Sequence, residues 1–196
     1  MSEQEAPNVG VQLRALRQQR GLSLRTLAEL CDLSPNTISL IERGESSPSV
    51  STLHRLATAL SVHITAFFER RTEPVQAVLT RAAERCRSGN AQVLLESLGA
   101  GLKEQSLEPF LVTMKPGSDS GQQPIVHSGQ EMVYCLQGEV EYEVAGQPYR
   151  LAIGDTLLFE ARLPHRWRNP LDEPAMFLLI FQSVIEGSAV NSHVRR

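Results

Sequence analysis

Two groups of residues in this sequence have the types and spacing to do chemistry. Asn36, Thr37, Ser39 and Leu40 lie in a short stretch that begins with Ser34-Pro35, a helix N-cap followed by proline at the first helical position. On that helix Ile38 and Ile41 turn inward, which leaves the four residues outward. Short polar side chains on an exposed helix can reach base edges in the DNA major groove, and the Asn36 amide can pair with both donor and acceptor of adenine. His127 and Glu131 form the second group. Four residues apart on an extended strand, they share one face. An imidazole and a carboxylate placed there can bind a small polar ligand, or each other.

The elements that must carry these groups differ in texture. Val11, Leu13 and Leu16 predict a first helix that stops at Arg20-Gly21. Ser23 caps a second helix over Leu24 to Cys31, with Leu24, Leu27, Ala28 and Cys31 inward. A turn at Asp32-Leu33-Ser34 leads to the third helix, which runs to Arg43 and stops at Gly44. A fourth helix follows from Ser51 to Leu60, and a short fifth one covers Ile64 to Glu69. After Glu73-Pro74 come short β-type runs at Val75–Leu79, Gln92–Ser97, Phe110–Met114, Glu131–Gln137, Glu139–Val144, Thr156–Phe159 and Met176–Phe181. Many short strands separated by Gly, Pro, Asn and Asp indicate a sandwich or barrel. Arg81 to Arg87 fits either a short helix or a charged loop.

The expected organisation is α+β and multidomain. Residues 1–8 form a disordered N-terminus and 9–70 a five-helix domain. Residues 71–106 are a linker with peripheral strands, 107–185 an all-β core and 186–196 a flexible tail. A hydrophobic fraction of 41% over 196 residues suits soluble domains with buried cores, and no apolar run is long enough to span a membrane. The start, Met1 to Pro7, is acidic and polar, so no secretory signal is expected and the chain should be cytoplasmic. Cys31, Cys86 and Cys135 are an odd, widely spaced set without CxxC, which predicts reduced, buried thiols. Although the net charge is −3, Gly10 to Leu60 holds six arginines against four carboxylates. Only the face turned to phosphate must be positive, so DNA binding is not excluded.

From Ala28 to Gly44 the string AELCDLSPNTISLIERG, followed by Pro48-Ser49, Thr52-Leu53, Leu56-Ala57 and Leu60, strongly resembles the xenobiotic-response-element family of helix-turn-helix domains. That family includes phage repressor and Cro proteins. The resemblance implies a lambda-repressor-like fold and a double-stranded DNA operator. It places Pro35, Asn36, Ser39 and Leu40 in the groove, with Ser34, Thr37 and Arg43 nearer phosphates and Leu40 against a thymine methyl. Ser23 and Arg25, at the start of the second helix, would contact the backbone. Plainer uses remain open: Ser34 as a cap alone, Thr37 as packing, Arg25 as a solvated charge. At the positions of Arg17 and Glu42 the family carries a partly buried ion pair, a structural role.

Gly117, His127, Glu131 and Gly138, then Ala152-Ile153-Gly154-Asp155 and Pro164-His165 with Asn169 four residues on, resemble the two motifs of the cupin superfamily of double-stranded β-helix barrels. The resemblance implies that His165 joins His127 and Glu131 from another strand. Two imidazoles and one carboxylate form a facial set suited to one divalent ion, Zn, Fe, Ni or Mn, with positions open to a ligand. Ile125 stands where the family has a further histidine, so a four-ligand site is excluded. Ile125, Cys135 and Trp167 are the expected pocket wall, although Cys135 as an inert buried thiol remains open. A metal-free barrel is the alternative. His54, His63 and His193 read as surface residues.

The two resemblances together imply a sequence-specific transcriptional regulator, a repressor by family habit. It would bind a small-molecule or metal effector in the cupin and act as a homodimer away from any membrane. An enzyme is the rival. The same arrangement also resembles a mononuclear non-haem iron epoxidase acting on hydroxypropylphosphonate, in which Lys115 or Tyr142 would have to orient an anionic substrate.

Overall fold

The computed structural model describes residues 9–68, 75–102, 105–121 and 123–182. The expected ends, 1–8 and 186–196, and most of the expected boundary near 70–75 lie outside these residues, as does His193. Four α-helices open the fold: α1 (Val9–Gln19), α2 (Leu24–Leu30), α3 (Pro35–Glu42) and α4 (Val50–Leu60). The expected fifth helix is only a 3-10 turn, Ile64–Phe67. Three serines start helices in the same way: Ser23, Ser34 and Ser49 each accept a hydrogen bond from the backbone N–H three residues on. Leu13, Leu27, Ile38, Leu53, Leu56 and Leu60 form the apolar centre between the helices. Val11 is not part of it. It is 59% exposed, because α1 turns Val9, Gly10 and Leu13 inward instead.

Gly10 explains how closely two of these helices approach. A Cβ on it would lie 2.1 Å from the Ile41 carbonyl oxygen, so α1 crosses the end of α3 where only glycine fits. Beside this crossing, the Arg17 guanidinium donates to both Glu42 carboxylate oxygens at 2.6 and 2.9 Å and to the Leu22 carbonyl at 2.8 Å. The ion pair that the family resemblance implied therefore ties α1 to the last residue of α3.

Nine strands follow among the described residues: β1 (Arg87–Gly89), β2 (Val93–Ser97), β3 (Leu107–Met114), β4 (Gln130–Gln137), β5 (Val140–Val144), β6 (Gln147–Leu151), β7 (Thr156–Glu160), β8 (His165–Arg168) and β9 (Ala175–Gln182). They form a six-stranded sheet, β1-β2-β3-β9-β4-β7, and a three-stranded sheet, β6-β5-β8, with antiparallel pairing throughout. Strict alternation on β3, β5, β8 and β9 sends Phe110, Val112, Tyr142, Trp167, Phe177 and Phe181 into the space between the sheets. Val75–Leu79, expected as a strand, is not one. Among the described residues it keeps a single bridge, Val75 to Leu102, and leaves Leu79 76% exposed. Between Arg81 and Arg87 lies a short 3-10 turn, Ala82–Glu84.

The helical and β halves are packed against each other. Phe68 meets Phe110 edge-on at 5.2 Å, and the Thr65 N–H donates to the buried Glu108 carboxylate at 2.7 Å. The His63 ring lies 3.2 Å from the same carboxylate, and Arg55 reaches across to Gln123 at 2.8 Å. His54 and His63 are thus not surface residues. His54 is 6% exposed, facing the β half from the inner side of α4.

Candidate functional site

Helix α3 stands with Pro35 and Asn36 exposed, Thr37, Ser39 and Leu40 half-buried, and Ile38 and Ile41 in the core. Asn36 makes no side-chain hydrogen bond among the described residues, so its amide is available to a partner. Ser34 caps α3 through the Thr37 N–H at 3.0 Å and also meets the Thr37 hydroxyl at 2.8 Å. Ser23 caps α2 through the Thr26 N–H in the same way. Arg25, wholly on the surface, pairs with Glu29 at 3.1 Å along the helix. Arg43 is exposed and bonds Glu45 at 2.7 Å and the Ser39 hydroxyl. Exposed pairs of this kind are worth little and exchange readily for other partners. The residues expected to meet DNA thus sit at the start of α2, with Ser23 and Arg25 exposed, and on the outward positions of α3 and its two flanking residues, Ser34 and Arg43.

Within the β half, three side chains converge from separate elements: Glu131 on β4, His165 at the start of β8, and His127 in the loop before β4. Their ligand atoms all lie within 4.8 Å of one another. The site is nearly closed to solvent, with side chains 7%, 1% and 0% exposed for His127, Glu131 and His165. His127 Nε2 lies 3.2 Å and His165 Nε2 3.1 Å from the same Glu131 oxygen. The other ring nitrogens face backbone carbonyls: His127 Nδ1 that of Ser128 at 3.0 Å, His165 Nδ1 that of Leu163 at 2.8 Å. With Nδ1–H donated to those carbonyls, Nε2 either carries a lone pair for a cation or, on a protonated ring, donates to Glu131.

This arrangement is a test of whether a cation fits, and it does. Two Nε2 lone pairs and a carboxylate oxygen facing one another repel unless a proton or a metal ion sits among them. His165 Nε2 makes no hydrogen bond, being out of line with the nearby carboxylate. Burial works to lift the Glu131 pKa, yet the neighbouring His127 and His165 outweigh it and hold the carboxyl below its ordinary value. For His165 burial pulls down while Glu131 pulls up, and the net direction is up. Tyr142 on β5 donates its hydroxyl to the second Glu131 oxygen at 3.0 Å, and burial, then the Glu131 charge, pushes its own pKa well up. Glu131 is thereby held ionised and oriented.

Ile125 is buried beside the site and pairs with His165 through two backbone hydrogen bonds, 2.7 and 3.0 Å, which fixes where β8 begins. Its side chain offers no ligand atom. Trp167 shares the inward side of β8 with His165 and packs edge-on against Phe177 at 5.4 Å. Cys135 is buried on β4, its thiol pushed up by burial. Asn169 holds the loop after β8 by donating to the Lys115 and Glu173 carbonyls at 3.2 and 2.6 Å. Lys115 itself is exposed.

Reading the sequence alone missed one residue at this site. The His54 ring stacks on His127 with centroids 4.3 Å apart and planes 5° from parallel, and meets Phe181 edge-on at 4.6 Å. Burial, then the charges of His127 and His165, depress its pKa well below the usual value, which keeps it neutral. The available signal was its place on α4 among Leu53, Leu56 and Ala57, a polar residue on the helix's apolar face.

Comparison with known proteins agrees with this division of the chain. Residues 13–67 match the helix-turn-helix family model and residues 110–181 the cupin domain model. The chain is 31% identical over 161 residues to the HTH-type transcriptional regulator PuuR of Escherichia coli (strain K12), covering 82% of this chain and 86% of that protein. It is also 31% identical to the HTH-type transcriptional regulator SutR of the same organism, covering 84% and 89%. Among solved structures, an HTH_3 family transcriptional regulator from Vibrio cholerae superposes with a TM-score of 0.70 at 26% identity, over 91% of this chain and 97% of that one.

Proposed function

Since the chain belongs to the HTH-type transcriptional regulators with a cupin domain, we propose that it reads DNA through α3 and answers to a divalent cation held by His127, Glu131 and His165. It is a DNA-binding regulator and not an enzyme. Asn36 and Ser39 contact base edges with Pro35 and Leu40 alongside, while Ser23, Arg25, Ser34, Thr37 and Arg43 meet phosphates. When bound, the cation supplies positive charge between three ligand atoms and leaves open positions for a small molecule. Tyr142 fixes the carboxylate, and the Ser128 and Leu163 carbonyls fix the rings. Ile125, Cys135 and Trp167 form the pocket wall around them.

The observation that carries this reading is the convergence of the three buried ligand atoms within 4.8 Å, with each imidazole's Nδ1 facing a backbone carbonyl and its Nε2 facing Glu131. The epoxidase alternative lacks support, because Lys115 faces solvent and Tyr142 is committed to Glu131. A homodimer completes the proposal. Tyr134, Leu136 and Leu158 are 37%, 40% and 64% exposed on β4 and β7, on the outer side of the six-stranded sheet. An apolar patch of this kind suits a two-fold interface, and a dimer reads two half-sites one helical turn or a multiple apart. Among the described residues no helix is long and apolar enough to cross a membrane.

Two measurements test the proposal. Selection of binding fragments from a random double-stranded library should yield a pseudo-palindromic site whose affinity falls steeply with salt. Metal analysis after dialysis against Mn(II), Fe(II), Ni(II) or Zn(II) should find one ion per chain in the wild type and none in His127→Ala. Failure to select any sequence overturns the DNA reading, and equal metal content in the two proteins overturns the metal reading.

A further inference from the structure

We propose that His54 is a fourth polar group of the effector site, delivered to the barrel by the DNA-reading half, and that it binds an oxygen ligand carried on the cation. This rests on the metal reading above. Helix α4 buries His54 with only 6% of it exposed, stacks it on the His127 ring at 4.3 Å and closes its edge with Phe181 at 4.6 Å. Its Nε2 is buried and has no hydrogen-bond partner among the described residues. Among the described residues the other buried ring nitrogen without a hydrogen bond is His165 Nε2, which lies 3.1 Å from a Glu131 oxygen and whose ring contacts His127 at 5.4 Å. Two rings that each carry an unbonded nitrogen therefore contact the His127 ring.

A purely structural residue at this place would be apolar, like its buried neighbours Leu53, Leu56 and Ala57. Buried polar groups without partners are rare in folded proteins and call for a ligand, an ion or water. His54 lies outside the set of ligand atoms that converge on the cation position, so the partner proposed for its Nε2 is an atom bound to the cation and not the cation itself. Two neutral imidazoles, one carboxylate and a divalent ion leave a net positive charge. The ligand chemistry that fits is an oxygen donor, water or a small carboxylate, hydrogen-bonded by His54 Nε2.

The site so completed joins the two halves. The next residue of α4, Arg55, donates to the Cys31 carbonyl at 2.9 Å in the turn between α2 and α3, and to Gln123 at 2.8 Å on the barrel side. An effector that engages His54 therefore bears on the segment that sets α3. By linkage, DNA must then alter cation affinity by the same factor as the cation alters DNA affinity.

The test titrates Co(II) alone into the full chain, read by its visible absorption, with and without a selected DNA fragment. His54→Phe retains a stacking ring on His127 and Phe181 and removes Nε2, whereas His54→Ala would also open a cavity. The expected result is that His54→Phe melts near the wild-type temperature without metal and binds Co(II) on the order of tenfold more weakly, as loss of a group outside the ligand set does. It also loses the shift in Co(II) affinity that DNA produces in the wild type. Unchanged Co(II) affinity in His54→Phe, or a DNA-induced shift that persists in it, overturns the inference while leaving the metal site standing. A wild-type chain that binds no Co(II) overturns the metal reading and the inference with it.

Discussion

Replacement of Arg17 by alanine isolates the joint between α1 and α3. The variant loses the bonds to Glu42 at 2.6 and 2.9 Å and the bond to the Leu22 carbonyl at 2.8 Å. It leaves the Glu42 side chain, 7% exposed, ionised at the C-terminal end of α3, where the helix dipole is already negative. Breaking a buried pair from one side costs about 3–5 kcal/mol. Because the Arg17 side chain retains 12% exposure, the low end, about 3 kcal/mol, is expected. For two halves that melt as one unit, that loss corresponds to roughly 6–12 °C in Tm for a chain of this size. Urea unfolding followed by circular dichroism at the helical band measures it. Adding Glu42→Gln removes the stranded charge and should return more than half of the loss. A cost below about 1 kcal/mol, or a double variant no more stable than Arg17→Ala, refutes the claim that this pair is a buried structural joint.

Other expectations follow from the same geometry. Asn36→Ala should leave Tm unchanged and weaken binding to the selected DNA by about 1–3 kcal/mol, with specificity relaxed at one base position, measured by competition titration. Gly10→Ala puts a methyl 2.1 Å from the Ile41 carbonyl and forces α1 from α3, at a cost of about 1–3 kcal/mol read by thermal melting. His54 is neutral when buried and its pKa is lowered well below 6.5, so below that pH the unfolded chain binds the extra proton and stability falls with falling pH. This contribution, at most about 1.4 kcal/mol per pH unit, should be missing from metal-free His54→Phe when its stability–pH curve is subtracted from that of the metal-free wild type. His165 acts in the opposite sense: raised above 6.5, it contributes stability below that pH which is lost as pH rises through its folded value.

The helix-turn-helix was legible because its signals are local. Ser23 and Ser34 as caps, Pro35 at the helix start and Gly44 after its end each act within a few residues. Val75–Leu79 misled because β-branched composition alone does not make a strand; among the described residues no neighbour offers it a ladder beyond the Val75 bridge. Strand β6 escaped notice for the opposite reason, since Gln147-Pro148-Tyr149-Arg150 is exposed on both faces and shows no alternation. The His127 and Glu131 pairing followed from strand parity, although His127 belongs to the loop before β4, and His165 needed the family motif. His54 was invisible in this sense: its neighbour His127 comes from a distant part of the chain, and a histidine on a short helix carries no label of what packs against it.

The central claim is that one chain reads DNA and senses a cation through coupled sites. Its most direct test is the affinity of the full-length protein for its selected DNA fragment, measured by fluorescence anisotropy at fixed ionic strength across a range of free Mn(II) or Co(II). The wild type should show a DNA Kd that changes several-fold over the range in which one ion binds per chain, and His127→Ala should show a constant Kd. A DNA affinity independent of metal in the wild type, or a metal response that survives in His127→Ala, would contradict the account.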